Sequence, residues 1–188
     1  MRHRAAHRAP TLRRLISLTP LLALLVLAAG CSGDGGAAGD SSASVGSTPG
    51  AHAPDFELEL VGGGKLRLAD LRGRAVIVDF WDTWCPPCRK ALPHLQELHD
   101  EYADRLTVVG IAFGRDGRDA VSAFLAKNNL SFPCVFIDDD YATARAYGGV
   151  QGLPTTFLID PDGVIRKVWV GGYGKQVYEA ALREIFEA

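Results

Sequence analysis

The feature that most constrains the fold is a buried-strand pattern that runs into a Cys-x-x-Cys pair and then into a helical pattern. Residues 76–93 read V-I-V-D-F-W-D-T-W-C-P-P-C-R-K-A-L-P. An apolar run rich in β-branched and aromatic residues is typical of a buried strand. The residues after Cys88 have the three-to-four-residue apolar spacing of a helix. Cys85 and Cys88 therefore lie where a strand ends and a helix begins.

This placement predicts a redox-active dithiol. Cys85 would be the N-cap and Cys88 the third helical residue, where N–H groups and the helix dipole favour a thiolate at Cys85. Lowering a thiol pKa from about 8.5 to about 7 needs about 2 kcal/mol, which a helix terminus can nearly supply. We expect Cys85 to be the attacking, more exposed sulfur and the more buried Cys88 to resolve the mixed disulfide. Because Pro86 and Pro87 lack N–H groups, this thiolate should be stabilised only moderately, which favours a reductant-leaning or middling potential.

Asp79 is a lone carboxyl group within the apolar run. Burial of such a group is costly and should raise its pKa. The functional interpretation makes Asp79 a proton acceptor for Cys88 as that sulfur attacks the mixed disulfide. The alternative is an acid at the end of a strand that is satisfied by backbone groups.

The N-terminal part of the chain has the pattern of an export signal. Residues 1–31 contain five arginines and no acidic residue, with an apolar stretch from Leu15 to Ala29. This stretch is shorter than the roughly 20 residues that span a bilayer, which predicts a secretory signal peptide over 1–30. Its A-A-G-C end resembles a bacterial lipobox, in which Cys31 is lipidated. An ordinary cleaved signal, or an uncleaved anchor with an incidental cysteine, is the alternative.

Composition separates a linker from one folded domain. Residues 31–52 are dominated by Gly, Ser and Ala, which predicts a flexible linker, and the folded domain is expected at 53–188. Without residues 1–31 the chain has 15 basic and 22 acidic residues, a net charge of −7 that does not suggest nucleic-acid binding. Four cysteines are too few for a disulfide framework in a domain of this size, and Cys134 is expected to be a buried core residue.

The hydrophobic periods predict an α/β fold with a central mixed β-sheet flanked by helices on both faces. In the last helix, Val177, Ala181 and Leu182 are expected to face the core together with Ile185 and Phe186. The predicted strands are 56–60, 65–68, 75–81, 105–114, 132–137, 155–160 and 164–170. The predicted helices are 86–104, 116–129, 140–147 and 174–187.

Three motifs carry a resemblance to a known family: A-P-D-F-E-L at 53–58, D-F-W-D-T-W-C-P-P-C at 79–88 and G-L-P-T-T-F-L-I-D-P-D-G at 152–163. The chain resembles the TlpA/ResA-type thiol–disulfide oxidoreductases of the thioredoxin superfamily. The resemblance implies a thioredoxin-like fold with an N-terminal β-hairpin and a helix–strand insert at 116–139. It also implies a set of substrate-binding residues around the dithiol. These are Pro154 as a cis-proline facing the dithiol, Leu153 through its backbone, and Trp84, Pro86 and Pro87.

The resemblance further implies an exported, membrane-tethered enzyme that reduces protein disulfides through Cys85 and Cys88, with cytochrome c maturation as one setting. Its partners would be protein thiols and disulfides, a membrane thiol donor of the DsbD/CcdA type and a lipid anchor, with no cofactor and no metal. The sequence departs from the family at Asp79, where Asn is frequent, at Asp82, where a small residue is usual, and at Ala91, where many members have Glu. Asp79 would then supply the proton transfer that the glutamate serves elsewhere.

Other functions stay open at this point. A peroxiredoxin-like thiol peroxidase would fit the A-P-D-F-E-L start, but Asp82 stands where those enzymes have threonine. A copper chaperone would need a wider cysteine spacing and a later histidine, and no histidine follows His99. A zinc site is disfavoured because His94 and His99 are about 140° apart around a helix, and we expect both on its surface. A non-enzymatic binding module with a structural Cys85–Cys88 bridge is the remaining class.

Overall fold

The computed structural model describes residues 44–187, so the predicted signal peptide, Cys31 and the first part of the predicted linker lie outside the described residues. The strands are β1 (Glu57–Glu59), β2 (Lys65–Arg67), β3 (Ala75–Trp81), β4 (Leu106–Ala112), β5 (Cys134–Phe136), β6 (Thr155–Ile159) and β7 (Ile165–Val170). The α-helices are α1 (Pro86–Glu101), α2 (Arg118–Lys127), α3 (Ala142–Ala146) and α4 (Lys175–Phe186). In this part of the chain, no helix is both long enough and apolar enough to cross a bilayer.

A five-stranded mixed sheet in the order β5-β4-β3-β6-β7 forms the centre of the fold. Strands β3, β4 and β5 are parallel to one another, whereas β6 is antiparallel to β3 and β7 is antiparallel to β6. β3 is buried along its whole length because both of its faces are covered. The predicted central mixed sheet is therefore confirmed, and β3 has the predicted bounds.

Helices cover both faces of this sheet, as predicted. One apolar layer joins the sheet to α1, α2 and α4, and Leu92, Val121 and Leu182 are buried in it. The other layer joins the sheet to α3 and to the β1–β2 hairpin, with Leu58 and Ala144 buried there. The predicted helix–strand insert contains α2 and β5. As the family resemblance implied, β5 is an edge strand parallel to β4.

The register of α4 differs from the prediction at its first turn. Val177, expected to face the core, is 41% exposed, while Tyr178 is fully buried together with Ala181 and Leu182. The buried positions 178, 181 and 182 and the partly buried position 185 follow helical i, i+3, i+4, i+7 spacing, and Val177 lies one position outside this stripe. The Tyr178 ring packs edge-on against Trp169 at 5.1 Å, which fixes the register.

The end of the predicted linker is bonded to the domain. The Gly50 N–H donates to the Ile165 carbonyl at 2.8 Å, and the Ile165 N–H donates to the Ala51 carbonyl at 2.9 Å. Ala51 is buried, and His52 forms a β-bridge with Val164. The domain boundary at residue 53 stays a prediction, and these contacts favour an earlier one.

Candidate active site

The two cysteines lie where β3 gives way to α1. Cys85 is the N-cap of α1, and Pro86 and Pro87 are its first two residues, where a helix has no need of backbone N–H donors. The Cys88 N–H is the first donor that remains in this turn, and it donates to the Cys85 Sγ at 3.2 Å. The two Sγ atoms are joined in a disulfide with an S–S distance of 2.06 Å. The predicted pairing of the two sulfurs at the helix start is therefore present in the structure.

Both cysteines are buried in this oxidised form, and Cys85 is only slightly more exposed than Cys88. Cys85 is 2% exposed and Cys88 is fully buried. The disulfide holds both side chains in the apolar layer that also contains Trp81, so the surface above the sulfurs is formed by their neighbours. Trp84 is 46% exposed, and Pro86 and Pro87 are exposed as well.

Asp79 lies on the face of β3 that α1 covers. Side chains alternate along a strand, and Ile77 and Trp81, two residues to either side of Asp79, belong to the apolar layer beneath α1. The cross-strand partner of Asp79 on β6 is Thr156, whose hydroxyl donates to Asp79 Oδ1 at 2.6 Å. Asp79 Oδ2 has no hydrogen-bond partner among the described residues.

Burial raises the pKa of Asp79 to about 7, and the hydrogen bond from Thr156 partly opposes this rise. A carboxyl group with this pKa can hold or accept a proton near neutral pH. Its donor is a side chain, so the alternative of an acid satisfied by backbone groups is not what the structure shows. Thr156 was missed by sequence reasoning, because only the strand register brings it opposite a residue 77 positions earlier.

Two small residues on neighbouring strands, Gly110 and Cys134, continue the register across the sheet from Asp79. Gly110 on β4 lies opposite Asp79, and a Cβ atom at Gly110 would lie 2.8 Å from Trp81 Nε1. Cys134 on β5 follows in the same register, is buried and forms no disulfide. Burial raises the pKa of the Cys134 thiol to about 12, so the predicted core role of this cysteine is confirmed.

Asp82 is a buried carboxylate that fixes the surface beside the disulfide. It accepts hydrogen bonds from the Thr83 N–H at 2.8 Å, the Trp84 Nε1–H at 2.8 Å and the Arg115 N–H at 3.1 Å. The Arg115 guanidinium lies over the Trp84 ring, 5.3 Å from its centroid. The sequence marks Asp82 as an extra acid near the site, but its three donors come from loop geometry that no pattern predicts.

The Leu153–Pro154 peptide is cis, as the family resemblance implied. The Pro154 carbonyl accepts a hydrogen bond from the Gly171 N–H at 2.8 Å, and a Cβ atom at Gly172 would lie 2.7 Å from the Pro87 carbonyl oxygen. The loop after β7 therefore contacts both the start of β6 and the start of α1. The Leu153 N–H and C=O form no backbone–backbone hydrogen bond within residues 44–187.

The two histidines of α1 are half-buried rather than on the surface as expected. His99 faces β4, where its Nδ1 accepts a hydrogen bond from the Val108 N–H at 3.4 Å, and burial lowers its pKa. His94 Nδ1 is buried without a partner among the described residues. Within residues 44–187, no group of three or more potential ligands could hold a metal ion.

Comparison with known proteins gives consistent matches. The AhpC/TSA family model matches residues 49–168. The chain is 38% identical to the thioredoxin-like protein YneN of Bacillus subtilis, over 76% of this chain and 83% of that protein. It is 37% identical to the thiol–disulfide oxidoreductase ResA of the same species, over 85% of this chain and 86% of ResA. A thiol:disulfide interchange protein of the thioredoxin family from Chlorobium tepidum is 31% identical, with a TM-score of 0.66 over 73% of this chain and 97% of that chain.

Proposed function

Because the chain belongs to the ResA-type thiol–disulfide oxidoreductases, we propose that it reduces disulfides of exported proteins while tethered to a membrane. The observation that carries this proposal is the disulfide at the start of α1, with the Cys88 N–H directed at the Cys85 sulfur. That geometry stabilises a thiolate on Cys85 once the pair is reduced.

The reduction would proceed in two exchange steps. The Cys85 thiolate attacks one sulfur of a substrate disulfide, which forms a mixed disulfide and releases the other substrate sulfur as a thiolate. The Cys88 thiolate then attacks the Cys85 sulfur, which releases the second substrate thiol and forms the Cys85–Cys88 disulfide. Two electrons pass from the enzyme dithiol to the substrate disulfide, and a dithiol donor must reduce the enzyme again.

Asp79 would accept the Cys88 proton before the second step. Its position beneath α1 and its pKa of about 7 support this role, because the carboxylate form is available near neutral pH. The substrate backbone would pair with Leu153 beside Pro154, and its side chains would contact the exposed Trp84, Pro86 and Pro87. Each of these roles is part of the proposal.

The proposed tether is at the N-terminus. Residues 1–30 would be removed as a signal peptide, Cys31 would carry the lipid, and residues that follow Cys31 would link it to the domain that ends at 188. Lipidation would hold the domain on the outer side of a membrane, within reach of a thiol donor of the DsbD/CcdA type. Apocytochrome c is one substrate class that fits this arrangement.

The proposal is tested with insulin as the disulfide substrate and dithiothreitol as the electron source. We expect the protein to accelerate insulin reduction, and Cys85→Ser and Cys88→Ser to abolish turnover. Cys134→Ser is the matched control, because this buried thiol takes no part in the exchange. Full activity in Cys85→Ser would refute the dithiol mechanism. Equilibration with glutathione buffers would measure the reduction potential of the dithiol, which together with the potential of its redox partner sets the direction of electron flow.

Tethering has its own test in a bacterial host that processes lipoproteins. We expect the full chain in the membrane fraction and the Cys31→Ala chain in the soluble exported fraction. A soluble full chain would leave the oxidoreductase activity in place and remove the tether from the proposal.

A thiol peroxidase is the second candidate, because the AhpC/TSA family model matches residues 49–168. In that function Cys85 would attack a hydroperoxide instead of a disulfide. Asp82 is buried and its carboxylate binds the Trp84 indole N–H, at the position where the resemblance to peroxiredoxins implies threonine, so a peroxide pocket has less support. Consumption of hydrogen peroxide in the presence of dithiothreitol separates this candidate from disulfide reduction.

A further inference from the structure

Exposed basic side chains lie on both sides of the turn that contains the disulfide, two of them after Cys88 on α1 and one over the ring of Trp84. Arg89 and Lys90 are exposed on α1 directly after the turn that contains the cysteines, and the Arg89 N–H donates to the Cys85 carbonyl at 3.1 Å. They line a cleft of about 330 Å³ together with Pro86 and Asn128. Arg115 is exposed over the Trp84 ring. We refer to Arg89, Lys90 and Arg115 as the cationic rim.

The side chains of the rim are not engaged in ion pairs within residues 44–187. Arg118, three residues after Arg115, is by contrast paired with Glu59 at 2.8 Å. Residues 44–187 contain 20 acidic and 15 basic side chains, so the rim is a positive region on a domain of negative net charge.

Helix stability does not account for this charge. The first turn of α1 contains no acidic residue, and cations near a helix N-terminus interact unfavourably with its dipole. The one acidic side chain next to Arg115 in sequence is Asp116, whose carboxylate accepts a hydrogen bond from the Thr83 hydroxyl at 2.6 Å. The Arg89 guanidinium lies over the Phe124 ring on α2, 5.8 Å from its centroid, so packing accounts for part of its placement. Neither Arg89 nor Lys90 has a carboxylate partner among the described residues that a bound anion would have to displace.

Asp82 gives part of the rim a fixed geometry. Its buried carboxylate binds the Trp84 indole N–H and the Arg115 backbone N–H at the same oxygen, Oδ2. This arrangement holds the aromatic ring and the backbone that carries the guanidinium next to each other. A surface with its ring and cation held in place loses less conformational entropy when a ligand binds.

We propose that the cationic rim recognises carboxylate side chains next to the disulfide of a protein substrate, so that this enzyme prefers disulfides in acidic segments. The proposal rests on the proposed disulfide-reducing function and specifies its substrate class. The exchange chemistry is unchanged: Cys85 attacks the substrate sulfur, and the rim binds an Asp or Glu close to it. Asp82 acts as a positioning residue for Trp84 and Arg115.

The test compares three peptides that differ only in the residues flanking an intramolecular disulfide: two Glu, two Gln or two Lys. The full chain is kept reduced by dithiothreitol, and kcat/KM is corrected for the uncatalysed rate. We expect the Glu peptide to exceed the Gln peptide by about fivefold at low salt, and the Lys peptide to fall below both. Because exposed charges are screened, the preference should shrink towards one at about 0.5 M salt.

Variants show which residues cause the preference for the Glu peptide. We expect Arg89→Gln/Lys90→Gln to lower the Glu-to-Gln ratio to about one, and Asp82→Asn to lower it as well while insulin is still reduced. Lys65→Gln/Arg67→Gln is the matched control, because it removes the same net charge from exposed residues on β2. The ratio is informative because a change in the reactivity of Cys85 alters both peptide rates equally and leaves their ratio unchanged.

Equal kcat/KM values for all three peptides, with insulin still reduced, would overturn the rim proposal and leave the proposed function intact. No reduction of any substrate would instead refute the proposed function. Binding of the rim to vesicles with anionic lipid, lost in Arg89→Gln/Lys90→Gln and accompanied by no peptide preference, would overturn the proposal in favour of a membrane surface as the ligand. A preference that survives in the rim variant and disappears in the β2 control would also overturn it.

Discussion

At the scale of single residues, Asp79 is a carboxyl group that the fold holds out of water with one hydrogen bond. Thr156 satisfies Oδ1, while Oδ2 has no partner among the described residues. A buried carboxyl group with one free oxygen costs stability when it is charged. The molecule retains this unfavourable group on the side of β3 that faces α1, which is the side where a proton acceptor for Cys88 would be useful.

The first prediction concerns the pH dependence of stability. Because the pKa of Asp79 is raised from 3.8 to about 7, the folded state binds more protons than the unfolded state between about pH 4 and pH 7. The free energy of unfolding should therefore fall as pH rises through this window. We expect Asp79→Asn to be more stable than the parent protein by about 2 to 4 kcal/mol at pH 8, with the gain vanishing near pH 4.

Urea unfolding at pH 4, 6 and 8 measures this effect, and the exposed Asp162→Asn is the control with the same chemical change. A gain of equal size at pH 4 and pH 8 would show that ionisation of Asp79 is not its cause.

The same Asp79→Asn variant should be slower in turnover while it keeps the fold. Unchanged turnover would remove Asp79 from the proposed mechanism.

The second prediction concerns Thr156 as a positioning residue. Its hydroxyl favours the charged form of Asp79, so Thr156→Val should raise the pKa of Asp79 further, by about one to two units. The pH at which turnover reaches half its maximum should rise by the same amount, and Thr156→Ser should restore the parent profile. A Thr156→Val enzyme that is slower at every pH, with an unshifted profile, would indicate a packing role only.

At the scale of secondary-structure elements, the packing of β3 against β4 beside Asp79 depends on Gly110, which has no side chain. Gly110 lies opposite Asp79, and a Cβ atom there would lie 2.8 Å from Trp81 Nε1 and 3.0 Å from a ring carbon of Phe132. Both rings belong to the packed layer beneath α1, so neither can move without displacing its neighbours. The absence of a side chain at Gly110 thus leaves the space that the Trp81 and Phe132 rings occupy.

The third prediction is that Gly110→Ala destabilises the protein by about 1 to 3 kcal/mol through overpacking. Gly62→Ala is the control, because a Cβ atom at Gly62 meets no atom within 4 Å. Thermal or urea unfolding measures both variants under the same conditions. Equal stability of Gly110→Ala and Gly62→Ala would mean that Trp81 and Phe132 adjust without cost.

These elements show which features of the fold can be predicted from sequence patterns and which cannot. β3 is predicted to the residue, because a run that is buried on both faces has no polar interruption except Asp79. The first turn of α4 is predicted incorrectly, since Val177 and Tyr178 are both apolar enough to face the core and the tertiary contacts of Tyr178, such as that with Trp169, are not visible in the sequence. Strand register is also hidden in the sequence, so the pairing of Asp79 with Thr156 could not be anticipated.

The candidate site likewise contains features that the sequence predicts and features that it does not. The dithiol and its helix-capping geometry are predictable, because Cys85, two prolines and Cys88 are adjacent in the chain. The roles of Asp82 and Arg115 are not, because these residues are 33 positions apart in the chain and meet only once α1 and β4 are folded between them. Chemistry that depends on neighbours in sequence is predicted, and chemistry that depends on tertiary contacts is found only in the structure.

At the scale of the whole molecule, the junction between tether and domain determines how much chain is available to span the distance from the membrane. The described part of the predicted linker, residues 44–52, is hydrogen-bonded to the domain and buries Ala51. If Cys31 is the point of attachment, only residues 32–43 are left to act as the tether. The reach of the domain would then be shorter than the predicted linker of 31–52 allows.

The fourth prediction follows from this docking. A chain that begins at residue 53 should be less stable than one that begins at residue 44 by about 1 to 3 kcal/mol, since it loses the two hydrogen bonds between Ile165 and the segment. Gly50→Ala in the longer chain provides an independent check, because Gly50 has a φ of +92°, which costs a residue with a Cβ atom roughly 1 kcal/mol. Urea unfolding of the three proteins measures both effects. If the two lengths have equal stability and Gly50→Ala is neutral, residues 44–52 do not stay docked in solution, and the full predicted linker is available as tether.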